Sequence, residues 1–508
     1  MSLKHFWFLL LLGAIIFSFI GCLQNTAYFL EITAFSIKQA FISTLLVNIM
    51  GVSLGFVFFR RHHKKSVRLM CRILPITLVI PSLITVLMIA ISFGADSHMG
   101  KTLITLFNFK LYGLNGIVLC HLFFYVPYAS SQYQAYFRNI PAQYWKFSEL
   151  LGWDGLQQWL WILAPVLKHG AIKHVCIIFC LCLSSFTIVM CFGGGPQATT
   201  YSLAIYQNLA FSEQFKEALW LIAFTTTLNL TCFSLLKYFK NPVSSNRFKT
   251  HTMPTIHIWN LPYHRYCDYY ILFLAALFFT TPLVLYCFEA WHHLKTASIE
   301  SDLIESLISS TLCGIGTVIL VLFITIAGAT ITFKYRPKIL EFIIIGHDLL
   351  FAIPGFALTA LVFMAFWYSL DIWWTSYLMM IVSNALLAFP ILFFKVRTKL
   401  LNEHSRYYKT AQILNLSSIK IIRYVVLPIL SLELGQLSAL SFLMALGDLR
   451  ASIFASTTDI LLLPTYIYHC IARYQLNEAY VSTLILLGII FVFFILSERI
   501  FNRAKTHA

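Results

Sequence analysis

Long apolar runs restrict the fold of this chain more than any other feature. A helix of about 20 apolar residues spans the hydrocarbon core of a bilayer, because its backbone polar groups are all paired within the helix. Apolar residues make up 59% of the 508 residues and charged residues only 11%, against about 45–50% and about 25% in soluble domains. Twelve such runs are found, at 5–22, 37–59, 72–94, 112–130, 170–192, 215–237, 268–288, 304–333, 340–368, 372–394, 429–455 and 477–498. We therefore predict an all-α polytopic membrane protein with about twelve transmembrane helices.

The basic residues predict how these spans are oriented. Of the 36 Lys and Arg residues, 29 fall in alternate loops or at the two termini, and seven fall on the opposite side. Loops rich in Lys and Arg remain in the cytoplasm. We therefore expect both termini in the cytoplasm of a bacterial inner-membrane protein. The net charge of +16 is explained by this topology and by anionic lipid, without nucleic acid.

An internal repeat divides the chain into two related parts. Pro127, Gly152 and Pro165 recur, each 263 residues further on, as Pro390, Asn415 and Pro428. Repeats of this kind in membrane proteins commonly place a pathway between the two parts. The hydrophilic stretch 238–266 is suited to a cytoplasmic linker. We predict two homologous six-helix halves, 1–237 and 267–508.

The repeated punctuation lies in two unusually long polar loops, 131–167 and 395–428. Each loop has a short apolar run, then Gly152 or Asn415, and then a stretch that ends in proline. Gly and Asn are the residues that most readily end a helix in a left-handed conformation. The pattern predicts two short helices in each loop, with a turn at Gly152 or Asn415.

A second repeated feature follows the fifth and eleventh spans. Gly193, Gly194 and Gly195 precede Pro196 in the first half, and Gly447 precedes Asp448 in the second. Exposed glycine amides are suited to recognising an anion, whereas a simple bend at the membrane edge explains the same residues. Asp448 is placed either to attract a cation or to pair with Arg450. Ser185 either bonds between helices or lines a pathway.

The two loops resemble the EAA loop of bacterial ABC importer permeases. That pattern is Glu-Ala-Ala, three residues, Gly, nine residues, then Ile-x-Leu-Pro. The first copy here has Lys146-Phe147-Ser148, Gly152 and Ile162-Leu163-Ala164-Pro165, and the second has Lys409-Thr410-Ala411, Asn415 and Val425-Val426-Leu427-Pro428. Neither copy keeps the Glu of the pattern, and the second has Asn for Gly. The resemblance implies a type I importer permease with two halves fused in one chain.

Within that family, the stretch from Ser185 to Gln207 is similar to the thiamine and thiamine-pyrophosphate permeases. Gly447-Asp448, Leu463-Pro464 and Tyr466-Ile467-Tyr468 are also similar. The resemblance implies import of thiamine or its phosphates, with substrate delivered by a periplasmic binding protein. It further implies a cytoplasmic ATPase homodimer, which binds ATP and Mg and docks on the two loops. This chain is then expected to carry no cofactor of its own and to be a transport subunit rather than an enzyme.

Two alternatives remain open from the sequence. A ferric-iron ABC permease shares the mechanism, although the Gly-Gly-Gly-Pro-Gln-Ala-Thr-Thr stretch favours thiamine. A secondary transporter driven by an ion gradient needs acidic residues within the membrane, and the spans contain few. The sequence also holds no nucleophile and base pair that suggests catalysis, and no cysteine spacing that favours a metal site.

The candidate residues form two groups. The ATPase-coupling group is Lys146, Glu149, Gly152, Trp153, Asp154, Pro165, Lys409, Ala411, Asn415 and Pro428. The pathway or outer-gate group is Ser185, Gly193, Gly194, Gly195 and Asp448.

Overall fold

A computed structural model describes most of the chain. The described residues are 26–78, 80–193, 198–238, 262–294, 301–334, 350, 353–369, 372–414, 416–455 and 460–506. Within these ranges the secondary structure is helical and contains no strand. The prediction of an all-α protein is confirmed. The predicted span 5–22, most of the predicted linker 238–266, and residues 340–349 and 351–352 of the predicted span 340–368 lie outside the described residues.

The first half contains eleven α-helices within the described ranges, several of them short. They are α1 (Thr26–Arg61), α2 (Lys65–Ile73), α3 (Ser82–Phe93), α4 (His98–Phe107), α5 (Leu114–Arg138), α6 (Ala142–Leu150), α7 (Gly155–Gln158), α8 (Ala164–Leu183), α9 (Thr187–Phe192), α10 (Tyr201–Ala210) and α11 (Phe215–Tyr238). A 3-10 turn, Leu74–Leu78, precedes α3, and a π-turn, Trp159–Leu163, joins α7 to α8.

The second half repeats much of this order. Its described helices are α12 (Pro262–His293), α13 (Ser301–Lys334), α14 (Gly355–Phe366), α15 (Trp373–Ile413), α16 (Ser418–Ile421), α17 (Leu427–Leu446), α18 (Leu449–Ala455), α19 (Leu463–Ala472) and α20 (Leu476–Thr506). A π-turn, Ile422–Val426, joins α16 to α17. Helix α8 and its π-turn have the same lengths as α17 and its π-turn. The duplication read from three residues therefore extends to the helices.

Five described helices are long and apolar enough to cross a membrane, and seven if each of two bent pairs forms one span. The five lie at Ala27–Arg61, Arg265–His293, Ser301–Ile331, Ile419–Leu446 and Leu476–Phe493. Four other predicted spans fail this test for different reasons within the described residues. Helices α5 and α11 carry several amide and hydroxyl side chains, and α3 and α14 have twelve residues each. The exact number twelve remains a prediction.

The two halves contact each other through several of their helices. Helix α12 of the second half packs on α3 and α1 of the first. Helix α14 of the second half packs on α10 and α11 of the first. The buried apolar residues form one continuous cluster that includes both halves. A smaller cluster holds α13, α15 and α17 together. The core is therefore shared between the halves, and the seam between them is central to the fold.

Candidate functional site

The first repeated loop turns sharply at Gly152. This residue has a φ of +66°, in the left-handed region that glycine tolerates best. The Trp153 amide donates to the Ser148 carbonyl at 2.9 Å, and the Gly152 amide donates to the Glu149 carbonyl at 3.1 Å. These two bonds are those of a Schellman motif, which pairs the last carbonyls of a helix. The predicted turn at Gly152 is confirmed.

The residues after this turn start the next helix. The Asp154 carboxylate accepts the Gln157 amide at 2.7 Å, and the Gln157 side chain accepts the Asp154 amide at 3.1 Å. This reciprocal arrangement is a capping box, which satisfies two amides at a helix start. Pro165 follows in the first turn of α8, where a missing amide costs little. Asp154 and Pro165 thus have local structural roles, whatever partner the loop binds.

One face of the first loop is anchored on the bundle. Trp145 is 2% exposed, and its ring stacks on Phe59 of α1 with centroids 5.9 Å apart. The side-chain Nε2 of Gln158 donates to the buried Ser148 hydroxyl at 3.0 Å, and this bond joins α7 to α6. The first loop is therefore packed directly against α1.

The opposite face of the first loop is exposed and strongly apolar. Lys146 and Glu149 are exposed on α6 and so bring charge to this face. The exposed apolar side chains are Tyr144, Phe147, Leu150, Leu151, Leu156, Leu160 and Trp161. Three of the seven are aromatic, and protein interfaces are enriched in aromatic residues and have a polar rim. We name these seven side chains the exposed loop face.

The second repeated loop differs from the first. Helix α15 continues without a break to Ile413, 263 residues after the end of α6. The first copy is interrupted by Pro141, and the equivalent residue in the second copy is His404. The prediction of a separate first helix is therefore wrong for the second loop, because a helix continues where proline is absent. Lys409 and Ala411 lie in α15, Pro428 lies in the first turn of α17, and Asn415 lies outside the described residues.

Both halves break a helix at equivalent positions, and the candidates Ser185 and Asp448 lie at these breaks. Helix α8 ends at Leu183 and α17 ends at Leu446, and α9 and α18 begin a few residues later. The Ser185 hydroxyl donates to the Cys182 carbonyl at 3.0 Å. Asp448 accepts the Arg450 amide at 2.9 Å and the Arg450 guanidinium at 2.8 Å. Of the two roles that the sequence suggests for Asp448, the structure shows the ion pair with Arg450.

Gly193 does not present a free amide. It follows α9, and its amide donates to the Val189 carbonyl at 2.7 Å. The idea that this amide recognises an anion is therefore wrong for Gly193, since a paired amide offers no hydrogen for a ligand. Gly194 and Gly195 lie outside the described residues.

Two prolines complete the surroundings of the helix breaks, and the sequence analysis missed them. Pro81 precedes α3 and Pro354 precedes α14. A Cβ at Gly447 would lie 2.6 Å from Cγ of Pro81, so the second-half break touches the first half. A side chain at Gly355 would collide with the Arg450 guanidinium. The signal was available, because Pro81 and Pro354 each stand immediately before a run of twelve mostly apolar residues.

Glu433 has a structural partner. The Lys399 ammonium contacts both carboxylate oxygens of Glu433 at 2.8 Å. This ion pair joins α15 to α17 within the second half. It accounts for an acidic residue in an otherwise apolar helix without a transport role.

Comparisons with known proteins agree with this architecture. Residues 48–243 match the family described as "Binding-protein-dependent transport system inner membrane component". The chain is 27% identical to the thiamine transport system permease protein of Escherichia coli (strain K12), over 94% of this chain and 90% of that protein. It is 25% identical to the corresponding protein of Haemophilus influenzae, over 94% of this chain and 91% of that protein.

A more distant relative covers less than half of this chain. The putative 2-aminoethylphosphonate transport system permease protein of Salmonella typhimurium is 22% identical over 43% of this chain and 74% of that protein. None of these relatives supports the ferric-iron alternative. The family match, the duplicated helix order and the repeated loops together show that the chain is a multi-pass inner-membrane transport subunit with the ABC importer permease fold.

Proposed function

We propose that this chain is the permease subunit of an ATP-driven importer for thiamine, its phosphates, or both. The similarity to thiamine permeases over 94% of the chain carries this proposal. The family implies an ATPase and a binding protein as partners in general. We assign ATP and Mg to a cytoplasmic ATPase homodimer and substrate delivery to a periplasmic binding protein.

We propose the halves 1–237 and 267–508, joined by a cytoplasmic linker at 238–266. Both termini are placed in the cytoplasm, because 29 of the 36 Lys and Arg residues fall on that side of the predicted topology. This orientation puts the loops 131–167 and 395–428 in the cytoplasm as well. Both loops are then accessible to a cytoplasmic ATPase.

The first loop is proposed as a docking site for one ATPase subunit. The exposed loop face supplies apolar contacts, with Lys146 and Glu149 at its edge. Trp145 on the anchored face transmits displacement of the loop to α1. Because α6 and α7 are short helices joined by the Gly152 turn and the Asp154 cap, they move together as a rigid body. The second loop is proposed to dock the other ATPase subunit through Lys409, Ala411, Asn415 and Pro428.

The pathway is proposed to pass the helix breaks at Ser185 and Asp448. These residues occupy equivalent positions in the two halves, and the Asp448 segment touches Pro81 of the other half. The thiazolium of thiamine is cationic, and a carboxylate attracts it. A phosphate ester of thiamine adds negative charge, for which Arg450 is the nearby cation.

Transport by the complete complex tests the proposal. The chain is reconstituted in proteoliposomes with its ATPase and binding protein, and uptake of labelled thiamine, thiamine monophosphate and thiamine pyrophosphate is measured with and without ATP. We expect ATP-dependent uptake of at least one of the three. Import of ferric iron without uptake of any thiamine form would overturn the proposal.

A further inference from the structure

Four phenylalanine rings form a stacked series across the seam between the halves. Phe186 of the first half lies face to face with Phe356 of the second, with centroids 4.0 Å apart and planes 19° apart. Phe356 continues to Phe454 at 5.5 Å and 29°, and Phe454 to Phe363 at 4.4 Å and 22°. We name Phe186, Phe356, Phe454 and Phe363 the aromatic ladder.

The ladder follows one face of α14. Phe356 and Phe363 are seven residues apart, which places them on the same face two turns apart. The same helix receives α10 and α11 from the other half. Tyr206 of α10 reaches both Phe186 and Phe454, with centroid distances of 5.7 and 5.8 Å. The ladder is therefore part of the contact between halves rather than of either half alone.

All four rings are hidden from solvent. Phe356, Phe363 and Phe454 are 0% exposed and Phe186 is 2% exposed. Alternating access requires the two halves to move relative to each other. If the halves move apart at this seam, a gap opens between the Phe186 ring and the Phe356 ring. The two ring faces then form the two walls of that gap.

The equivalent seam residues in the other half are not aromatic. Phe186 and Phe454 correspond, at the 263-residue offset, to Leu449 and Cys191. By the alignment of α3 with α14, Phe356 and Phe363 correspond to Leu83 and Ala90. The corresponding helices of the first half, α3 and α9, thus pack against each other without stacked rings at these positions. Stacked aromatic rings are therefore not required to fill this space, which indicates a further role for the aromatic ladder.

Charge lies beside the ladder. Phe356 adjoins Gly355, which is packed against the Arg450 guanidinium, and Arg450 is paired with Asp448. Aromatic faces attract planar rings by stacking and cations by their quadrupole. A planar, cationic heteroaromatic ring with a carboxylate nearby satisfies each of these preferences.

We propose that the aromatic ladder is a stacking site on the transport pathway, at which the rings of an aromatic cation insert between Phe186 and Phe356 when the seam opens. This inference rests on the proposed import of thiamine, whose pyrimidine and thiazolium are planar rings. Ring stacking in the closed seam is exchanged for stacking on the substrate. An aromatic substrate replaces the lost ring contacts and so lowers the free energy needed to open the seam, whereas a non-aromatic substrate does not.

The test uses the complete complex in proteoliposomes and measures kcat and KM for thiamine uptake. The variants are Phe186→Leu and Phe356→Leu, with Phe186→Tyr as the version that keeps a ring. The control is Phe442→Leu, which removes one ring from a stacked pair, Phe442 and Phe493, with centroids 4.7 Å apart inside the second half. Affinity of the binding protein for thiamine is measured separately and is independent of these variants.

We expect both seam variants to raise KM for thiamine about tenfold, equivalent to about 1.4 kcal/mol. Phe186→Tyr is expected to stay near the wild-type KM, and Phe442→Leu to change it less than twofold. Wild-type uptake together with an unchanged KM in both seam variants would overturn the ladder while leaving the proposed function intact. Equal effects of the seam variants and Phe442→Leu would also overturn it. Absence of thiamine uptake by the wild-type complex would instead overturn the proposed function, and the identity of the stacked ligand with it.

Discussion

The Asp268 carboxylate accepts a hydrogen bond from Nε of Arg61 at 2.7 Å, and this bond joins α12 of the second half to α1 of the first. Arg60 contacts the other carboxylate oxygen, and Asp268 is 0% exposed. The Arg60 guanidinium also lies over the ring of Phe56, 4.4 Å from its centroid. Two arginines at the C-terminal end of α1 in the first half thus contact one buried acid of the second half.

Replacing Asp268 with Asn should destabilise the folded protein strongly. The change leaves two buried arginines without their carboxylate, and breaking a buried ion pair costs about 3–5 kcal/mol. The measurement is the thermal unfolding midpoint of the purified chain in detergent. Glu433→Gln is the matched control, because its pair with Lys399 lies within one half and is partly exposed, where ion pairs contribute little. A midpoint for Asp268→Asn no lower than that of the control would contradict the prediction.

Gly152→Val should separate ATP hydrolysis from transport. No atom lies within 4 Å of an added Cβ, so the penalty arises from the φ of +66° and not from a clash. Holding a β-branched residue in this region costs about 1–3 kcal/mol, which favours a rearranged turn. The ratio of ATP hydrolysed to thiamine imported should rise while the bundle stays folded.

Gly152→Asn is the matched control for that turn. Asn tolerates the left-handed region better than other residues, and Asn415 occupies the equivalent position in the second loop. We expect this variant to keep the wild-type coupling ratio. Identical ratios for the Val and Asn variants would count against the role of the turn.

Two tryptophans of the first loop should respond differently to truncation. Trp145 is 2% exposed and packs on α1, so Trp145→Ala should cost about 3–5 kcal/mol of stability. Trp161 is 68% exposed, so Trp161→Ala should leave stability unchanged and weaken ATPase binding by about 2 kcal/mol. Thermal unfolding and ATPase pull-down affinity separate the two effects. Normal ATPase affinity in Trp161→Ala would exclude this residue from the docking surface.

Asp448→Asn should select against the cationic form of the substrate. The change leaves the charge of Arg450 uncompensated, which repels thiazolium and attracts phosphate. We expect uptake of thiamine to fall more than uptake of thiamine pyrophosphate. Competition between the two labelled substrates in the same vesicles gives the ratio. The double variant Asp448→Asn with Arg450→Gln removes both charges and is expected to return the ratio toward wild type; an unchanged ratio in the single variant would remove Asp448 from the pathway.

The helix content and the duplication were predictable because they depend on local properties. Apolar runs, prolines and glycines act on the residues beside them, so the turn at Gly152 and the equivalence of Pro165 with Pro428 were visible in the chain. The helix count was less predictable, since α3 and α14 are short and adjoin other segments. The continuous α15 was also missed, although the absence of a proline at His404 was its signal.

By itself, the sequence determined the all-α membrane class, the two related halves and the positions of the loops, because hydrophobicity, charge and proline placement act along the chain. Only the tertiary structure decided which aromatic residues of the first loop are buried and which are exposed. Trp145 and Trp161 are the same residue type in the same loop, yet the first is buried and the second is exposed. It also decided that Arg61 meets Asp268 and Phe186 meets Phe356, residues far apart in the chain. Such contacts depend on how whole helices pack across the seam, and no local pattern encodes that geometry.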